Sequence, residues 1–282
     1  MLTMYNPLQQ YRAAVLPHQR EWLAGLRDPL VITAGGALIM GIIVPPPRRG
    51  RPADRRTLLT FLGLMCYSTW LSLRVRGTRR TALFALPAMI VPFLGEFIGA
   101  NVLKVVSYPI RPKFLGVPLS IIFGWYKAIH TSYAVAALAV GTTSASQLAA
   151  GTAIAATALD LAIDPMAVDS GLWSWHKGGC YASGVRSVNG TYGIPIGNFI
   201  VWLILCFVSV WGYLRLVYHG QPPHSTIGIQ RHRIAAILAY LALYAPAARW
   251  AIRARQWQPL LASGPLVLAM IVGALMPKRN NP

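Results

Sequence analysis

Acidic residues are scarce in this sequence. Seven Asp and Glu stand against 26 Lys and Arg in 282 residues, a formal net charge of +19. Any proton donor, metal cage or diphosphate clamp built on carboxylates must come from Glu21, Asp28, Asp54, Glu96, Asp160, Asp164 and Asp169. Glu21, Asp28, Asp54 and Asp169 sit beside turn residues, basic residues or the ends of apolar runs. Glu96, Asp160 and Asp164 lie in or at the edge of long apolar runs, where a carboxylate is costly and is retained when paired, protonated or functional.

Other absences narrow the field. The three cysteines give no disulfide framework: Cys66 and Cys206 fall inside apolar runs and Cys180 in a loop. The histidines at 18, 130, 176, 219, 224 and 232 form no HxxxH or HxxHH array. That argues against di-iron desaturases and hydroxylases and against any metal centre, since first-row metals need three or four convergent ligands. There is no phosphate-cradling Gly-Lys loop and no dinucleotide-binding glycine fingerprint, which argues against nucleotide and flavin chemistry. Asp160-Leu161-Ala162-Ile163-Asp164 looks like half of the paired Asp-rich motifs by which membrane prenyltransferases hold Mg²⁺ on a diphosphate, but no second acidic cluster completes it.

Hydrophobic residues, in contrast, make up 55% of the chain, in repeated runs. The pattern predicts an all-α, polytopic transmembrane helix bundle. Eight spans are expected near 30–46, 57–74, 81–103, 117–140, 145–163, 193–218, 232–251 and 258–276, with seven spans and one interfacial segment as the alternative. Residues 29–276 then form a single transmembrane domain, followed by a tail at 277–282. Residues 1–28 lack the apolar core and small-residue cleavage site of a signal peptide and mix Leu, Tyr and Trp with Arg, so they are expected to form an interfacial segment.

The cations punctuate the spans rather than forming one face: Arg48, Arg49, Arg51, Arg55 and Arg56, then Arg74, Arg76, Arg79 and Arg80, then Arg249, Arg253 and Arg255. That spacing fits anionic lipid headgroups or acidic membrane-protein partners rather than nucleic acid. Alternate loops carry similar totals of Lys and Arg, so the bias that orients most membrane proteins is weak.

On a helix, Asp160 and Asp164 share one face a turn apart, and Pro165 is expected to stop that helix just past Asp164. Lys127 and His130 also share a face and are natural partners for Glu96 or Asp160, so structural ion pairing and catalysis both remain open. After Pro165 comes an aromatic-rich loop with Trp173, Trp175 and Tyr181, and then Tyr192, Asn198 and Phe199 at the start of the next span. Interfacial position alone accounts for one or two of these aromatics. An acid pair followed by so many suits a long apolar ligand whose polar end meets the interface.

These residues resemble a known family, the membrane carotenoid biosynthesis proteins that include acyclic carotenoid hydratases. The matching blocks are Gly95-Glu96-Phe97-Ile98-Gly99, Gly116-Val117-Pro118 with Trp125, Asp160-x-x-x-Asp164-Pro165, Gly171-x-Trp173-x-Trp175, Tyr192-Gly193-Ile194-Pro195 and Asn198-Phe199-x-x-Trp202, within residues 80–215. Two departures stand out. The family's P-F-G-x-Y-x-Y stretch is replaced at 101–109, where only Tyr108 is kept, and extra loop at 180–191 separates the Trp pair from Tyr192.

The resemblance implies addition of water across the terminal double bond of an acyclic carotenoid, with no cofactor. Asp164 or Asp160 would donate the proton and Glu96 would position water. Trp173, Trp175 and Tyr192 would flank the cation, Asn198 would hold water or fix an acid, and Phe199, Trp125 and Tyr108 would line the ligand. It also implies a prokaryotic cytoplasmic or photosynthetic membrane. The alternative is a non-catalytic carotenoid-binding subunit of a larger assembly, docked through its basic loops.

Overall fold

Eight helices account for most of what the computed structural model describes, residues 28–43, 55–140, 144–219 and 232–276. They are α1 Pro29–Ile43, α2 Arg55–Arg76, α3 Thr78–Phe97, α4 Leu119–Val140, α5 Ala145–Ser170, α6 Ile196–Tyr218, α7 Arg233–Arg253 and α8 Trp257–Leu275. A π-helical turn, Ile98–Val102, extends α3. Five of the described helices are long and apolar enough to cross a membrane: α3 with its extension, α5, α6, α7 and α8. The chain is an all-α membrane bundle. The expected interfacial segment at 1–28, the tail at 277–282 and most of the basic loop at 45–56 lie outside the described residues.

Two helices form the centre. α4 is buried on nearly every side, including Lys127, His130, Thr131 and Ser132, and packs against α2, α3, α5, α7 and α8. α5 packs against α4, α6, α7 and α8. Its run of Ala and Gly explains the fit, because small residues let helix backbones approach in an apolar medium. A Cβ on Gly151 would stand 2.9 Å from Val140 of α4. Tyr240 of α7 reaches in to donate to the Ala155 carbonyl at 2.8 Å.

The ends of α5 follow capping rules. The Ser144 hydroxyl accepts from the Gln147 amide at 3.1 Å, and Gly171 closes the helix at φ 75, a left-handed position that glycine takes without a steric penalty. The interior corrects one expectation: the helix runs through Pro165 to Ser170 instead of stopping there. A proline at 165 cannot supply the N–H that the Leu161 carbonyl would accept. The Tyr181 hydroxyl supplies that hydrogen bond instead, at 2.7 Å. The freed backbone acceptor is satisfied by a neighbouring segment, the condition under which a buried helix tolerates proline.

The connections after α3 and α5 meet at one end of the bundle, where the start of α8 joins them through the Ala182 amide, which donates to Gln258 Oε1 at 2.8 Å. There they form three short antiparallel pairs. β1 Val106–Ser107 pairs with β4 Ser174–Trp175, β2 Lys113–Phe114 with β3 Val117–Pro118, and β5 Tyr181–Arg186 with β6 Tyr192–Ile194. The β5–β6 pair depends on close backbone contact: Gly193 has φ +70, and a Cβ on Gly179 would lie 2.0 Å from the Ile194 carbonyl oxygen. At the opposite end, His232 at the start of α7 meets Asp28 at 2.7 Å, while Asp28 also caps α1 through the Leu30 amide.

Candidate functional site

The three carboxylates from the apolar runs meet beneath the β-structured end. Asp160 and Asp164 on α5 are each 1% exposed. Asn198, near the start of α6, joins them, its Nδ2 donating to Asp160 Oδ2 at 2.8 Å and to Asp164 Oδ2 at 3.1 Å. Asp164 also accepts from the indole N–H of Trp173, through Oδ1, and from that of Trp175 at 3.3 Å. All its bonded donors are neutral N–H groups. Asp160 differs: its Oδ1 is buried with no hydrogen-bond partner among the described residues.

Glu96, at the end of α3, is half-buried. It accepts from the Tyr108 hydroxyl and, at 2.8 Å, from the Trp125 indole N–H. Burial, with the adjoining Glu96 carboxylate, pushes the Tyr108 phenol well above its ordinary range and keeps it a donor. Trp202 of α6 stacks on Trp125 with ring centroids 3.8 Å apart. Tyr108 meets Trp173 edge to face at 6.3 Å, linking the Glu96 and Asp164 clusters.

The connecting segments explain this convergence. The β1–β4 pairing sets Val106 opposite Trp175, so the loop that brings Tyr108 to Glu96 is tied to the loop that brings both indoles to Asp164. The His176 amide extends the tie to the Val105 carbonyl at 2.9 Å. The stretch at 101–109, where the family's aromatic pattern is lost, thus keeps the single side chain that reaches Glu96. The extra loop at 180–191 holds the Trp segment: Asn189 Nδ2 and the Thr191 hydroxyl both donate to the Trp175 carbonyl, at 2.9 and 2.8 Å.

Eight of the ten site residues named from sequence come together: Glu96, Tyr108, Trp125, Asp160, Asp164, Trp173, Trp175 and Asn198. Two stand apart. Tyr192 is 53% exposed, with the Arg186 guanidinium 5.7 Å from its ring centroid, because β6 turns that side chain outward. Phe199 packs edge to face on Tyr181, 4.7 Å away, in the apolar layer that also holds Trp250. His130, offered above as an ion-pair partner, instead sits edge-on to Phe84 and tilted against Tyr126. The hydrogen bonds to Glu96 and Asp160 come from Tyr108, Trp125 and Asn198.

Some participants carry little signal in the sequence. Trp202 appears in a matching block but is not otherwise marked out. Tyr181 could be found by asking which donor serves the carbonyl four residues before Pro165. Asp169 accepts from the Trp250 indole at 2.9 Å, a contact between distant segments that no local pattern announces.

Fold and site together define a polytopic membrane protein whose few buried carboxylates are held by indole, phenol and amide donors. A family model described as "Carotenoid biosynthesis protein" matches residues 56–272, from α2 almost to the end of α8, and the chain belongs to that family. Its role therefore lies in the carotenoid pathway. No curated protein and no solved structure matches the chain.

Proposed function

We propose that this protein adds water across the terminal double bond of an acyclic carotenoid end group, with Asp160 as the proton donor. The observation that carries the choice of Asp160 is its buried oxygen Oδ1, which has no hydrogen-bond partner among the described residues. Asp164 is engaged by three N–H donors and acts as the fixed neighbour that orients the pair through Asn198. Adjacent carboxyl groups sharing one proton are a known means of keeping a carboxylic acid available near neutral pH.

In the reaction the Asp160 O–H bond breaks and a C–H bond forms at the less substituted alkene carbon, leaving a tertiary cation. The faces of Trp173, Trp175 and Tyr108 supply quadrupole stabilisation. Water attacks the cation and passes its extra proton to Glu96. Exchange with solvent returns one proton to Asp160 and releases one from Glu96. No electrons are gained or lost, so the step needs no redox cofactor.

The second reading, a carotenoid-binding subunit without catalysis, draws on Glu96, both of whose oxygens are already engaged by protein donors. Mass analysis of pigments from a lycopene-producing host separates the two. Hydrated carotenoid from the wild type but not from Asp160→Asn is the expected result. Unchanged pigment bound to a folded wild-type protein would establish the subunit, and full hydration by Asp160→Asn would remove Asp160 from the mechanism.

A further inference from the structure

At the opposite end of the bundle a second buried cluster surrounds Phe84 of α3, which is 1% exposed. Tyr126, His130 and Tyr133 of α4 and Tyr213 of α6 place their rings 5.0–6.4 Å from the Phe84 ring. Arg76, the last residue of α2, lays its guanidinium between two of these rings, 4.4 Å from the Phe84 centroid and 4.3 Å from that of Tyr133. One of its nitrogens donates to the Ser72 hydroxyl at 3.0 Å.

Four polar atoms here are buried without a hydrogen-bond partner among the described residues: Arg76 Nη2, the Tyr126 and Tyr213 hydroxyls and His130 Nδ1. Tyr126 is 3% exposed and His130 1%. Buried polar groups in native proteins are nearly always satisfied, and an unmade hydrogen bond on an arginine is especially costly. Four such atoms around one ring call for a partner beyond the described residues. The guanidinium can only donate, so that partner must offer an accepting oxygen. The surroundings are otherwise aromatic, so the rest of the ligand must be apolar.

α3, α4 and α6 each contribute to both clusters. From Glu96 to Phe84, the centre of the second cluster, is about 18 Å of helix axis at 1.5 Å per residue, the scale of an elongated polyene rather than of a small solute. We infer that Arg76, Tyr126 and His130 form a second polar subsite, which holds a hydroxyl or carbonyl oxygen at the far end of the long apolar ligand whose near end lies at Asp160. The protein then prefers a polyene already oxygenated at one end over the bare hydrocarbon, so its better substrate is the product of an earlier hydration or oxygenation. This rests on the carotenoid-ligand reading given above but not on catalysis.

The test is equilibrium binding, read by quenching of tryptophan fluorescence, of lycopene and of its monohydroxy derivative to the full chain in phosphatidylcholine nanodiscs. The wild type is expected to bind the hydroxylated polyene about tenfold more tightly, the discrimination that one buried hydrogen bond supplies. Tyr126→Phe removes only an oxygen with no hydrogen-bond partner among the described residues, so the fold should persist while the preference falls. Arg76→Gln should abolish it. Equal wild-type affinities, or a preference unchanged in both variants, would overturn the subsite while leaving the carotenoid reading intact. Binding of neither polyene would overturn both. Disappearance of the preference when phosphatidylglycerol is included would assign the donors to a lipid headgroup and overturn the polyene subsite.

Discussion

Glu96 and Asp160 are both acids in apolar helices at one end of the bundle, yet they are held differently. Glu96 stands where α3 gives way to a π-helical turn, and its two oxygens are engaged by a phenol and an indole on separate segments. Asp160 lies deep in α5 with one oxygen on Asn198 and the other without a partner among the described residues. An oxygen that already accepts fixed donors is held in the carboxylate form, which suits a group that receives a proton rather than one that gives it. An oxygen that accepts no such donor, beside a fixed carboxylate, is free to give one. In the proposed reaction, the number of donors reaching each carboxyl, more than its burial, therefore separates the proton donor from the carboxylates that receive a proton or position the pair.

The comparison can be broken most severely at Asp164. Asp164→Asn sets an amide against three N–H donors, so at least one of them loses its acceptor. Hydration is expected to fall about 10³-fold, within the range of general acid–base catalysis, while pigment bound per protein stays within about threefold. Hydration near the wild-type rate would show that the carboxylate beside Asp160 is dispensable. Glu96→Gln is gentler, because its amide oxygen can still accept from Trp125 and the Tyr108 hydroxyl can rotate. If Glu96 takes the proton released by water, the rate falls about 100-fold with substrate affinity unchanged. A loss of pigment binding instead would make Glu96 a structural tie between α3 and α4. Trp173→Phe keeps an aromatic face and deletes one donor to Asp164. A drop of about tenfold is expected in kcat rather than in KM, since an interaction used to orient the acid pair is felt in the chemical step. A change confined to KM would move Trp173 from the acid pair to the ligand wall.

How much of this is legible in the sequence depends on the range of the interaction. The eight apolar runs and the acid pair are visible because burial in lipid and helical periodicity are local properties of the chain. A spacing of four residues is enough to put Asp160 and Asp164 on one helix face, and the motif blocks point to Trp173, Trp175 and Asn198. The partners of Glu96 are not legible from chemistry alone. Lys127 and His130 look suitable by charge, whereas Tyr108 and Trp125 reach Glu96 through a loop whose course is set by the β1–β4 pairing. Tyr192 escapes for a related reason: in a strand, alternate residues face opposite ways, and its outward direction follows from its register with Arg186. The position of Pro165 misleads most directly. Its local preference ends a helix, but a hydroxyl sixteen residues later in the chain removes the penalty.

That hydroxyl gives the smallest and most local of the expected effects. Tyr181→Phe leaves the ring packed on Phe199 and removes only the donor to the Leu161 carbonyl, which lies between Asp160 and Asp164 in sequence. A buried carbonyl left without a donor costs about 1–3 kcal/mol, and thermal unfolding in detergent should show a loss of that order. The helix can recover part of it by opening at Pro165, which would turn Asp164 away from Asp160 and loosen their shared contact with Asn198. The variant should therefore lose several-fold in hydration rate as well as stability, and Tyr181→Leu, which also removes the ring, should lose more of both. Unchanged stability in Tyr181→Phe would mean that α5 passes Pro165 without help. The geometry of the acid pair would then depend on Asn198 and the two indoles alone.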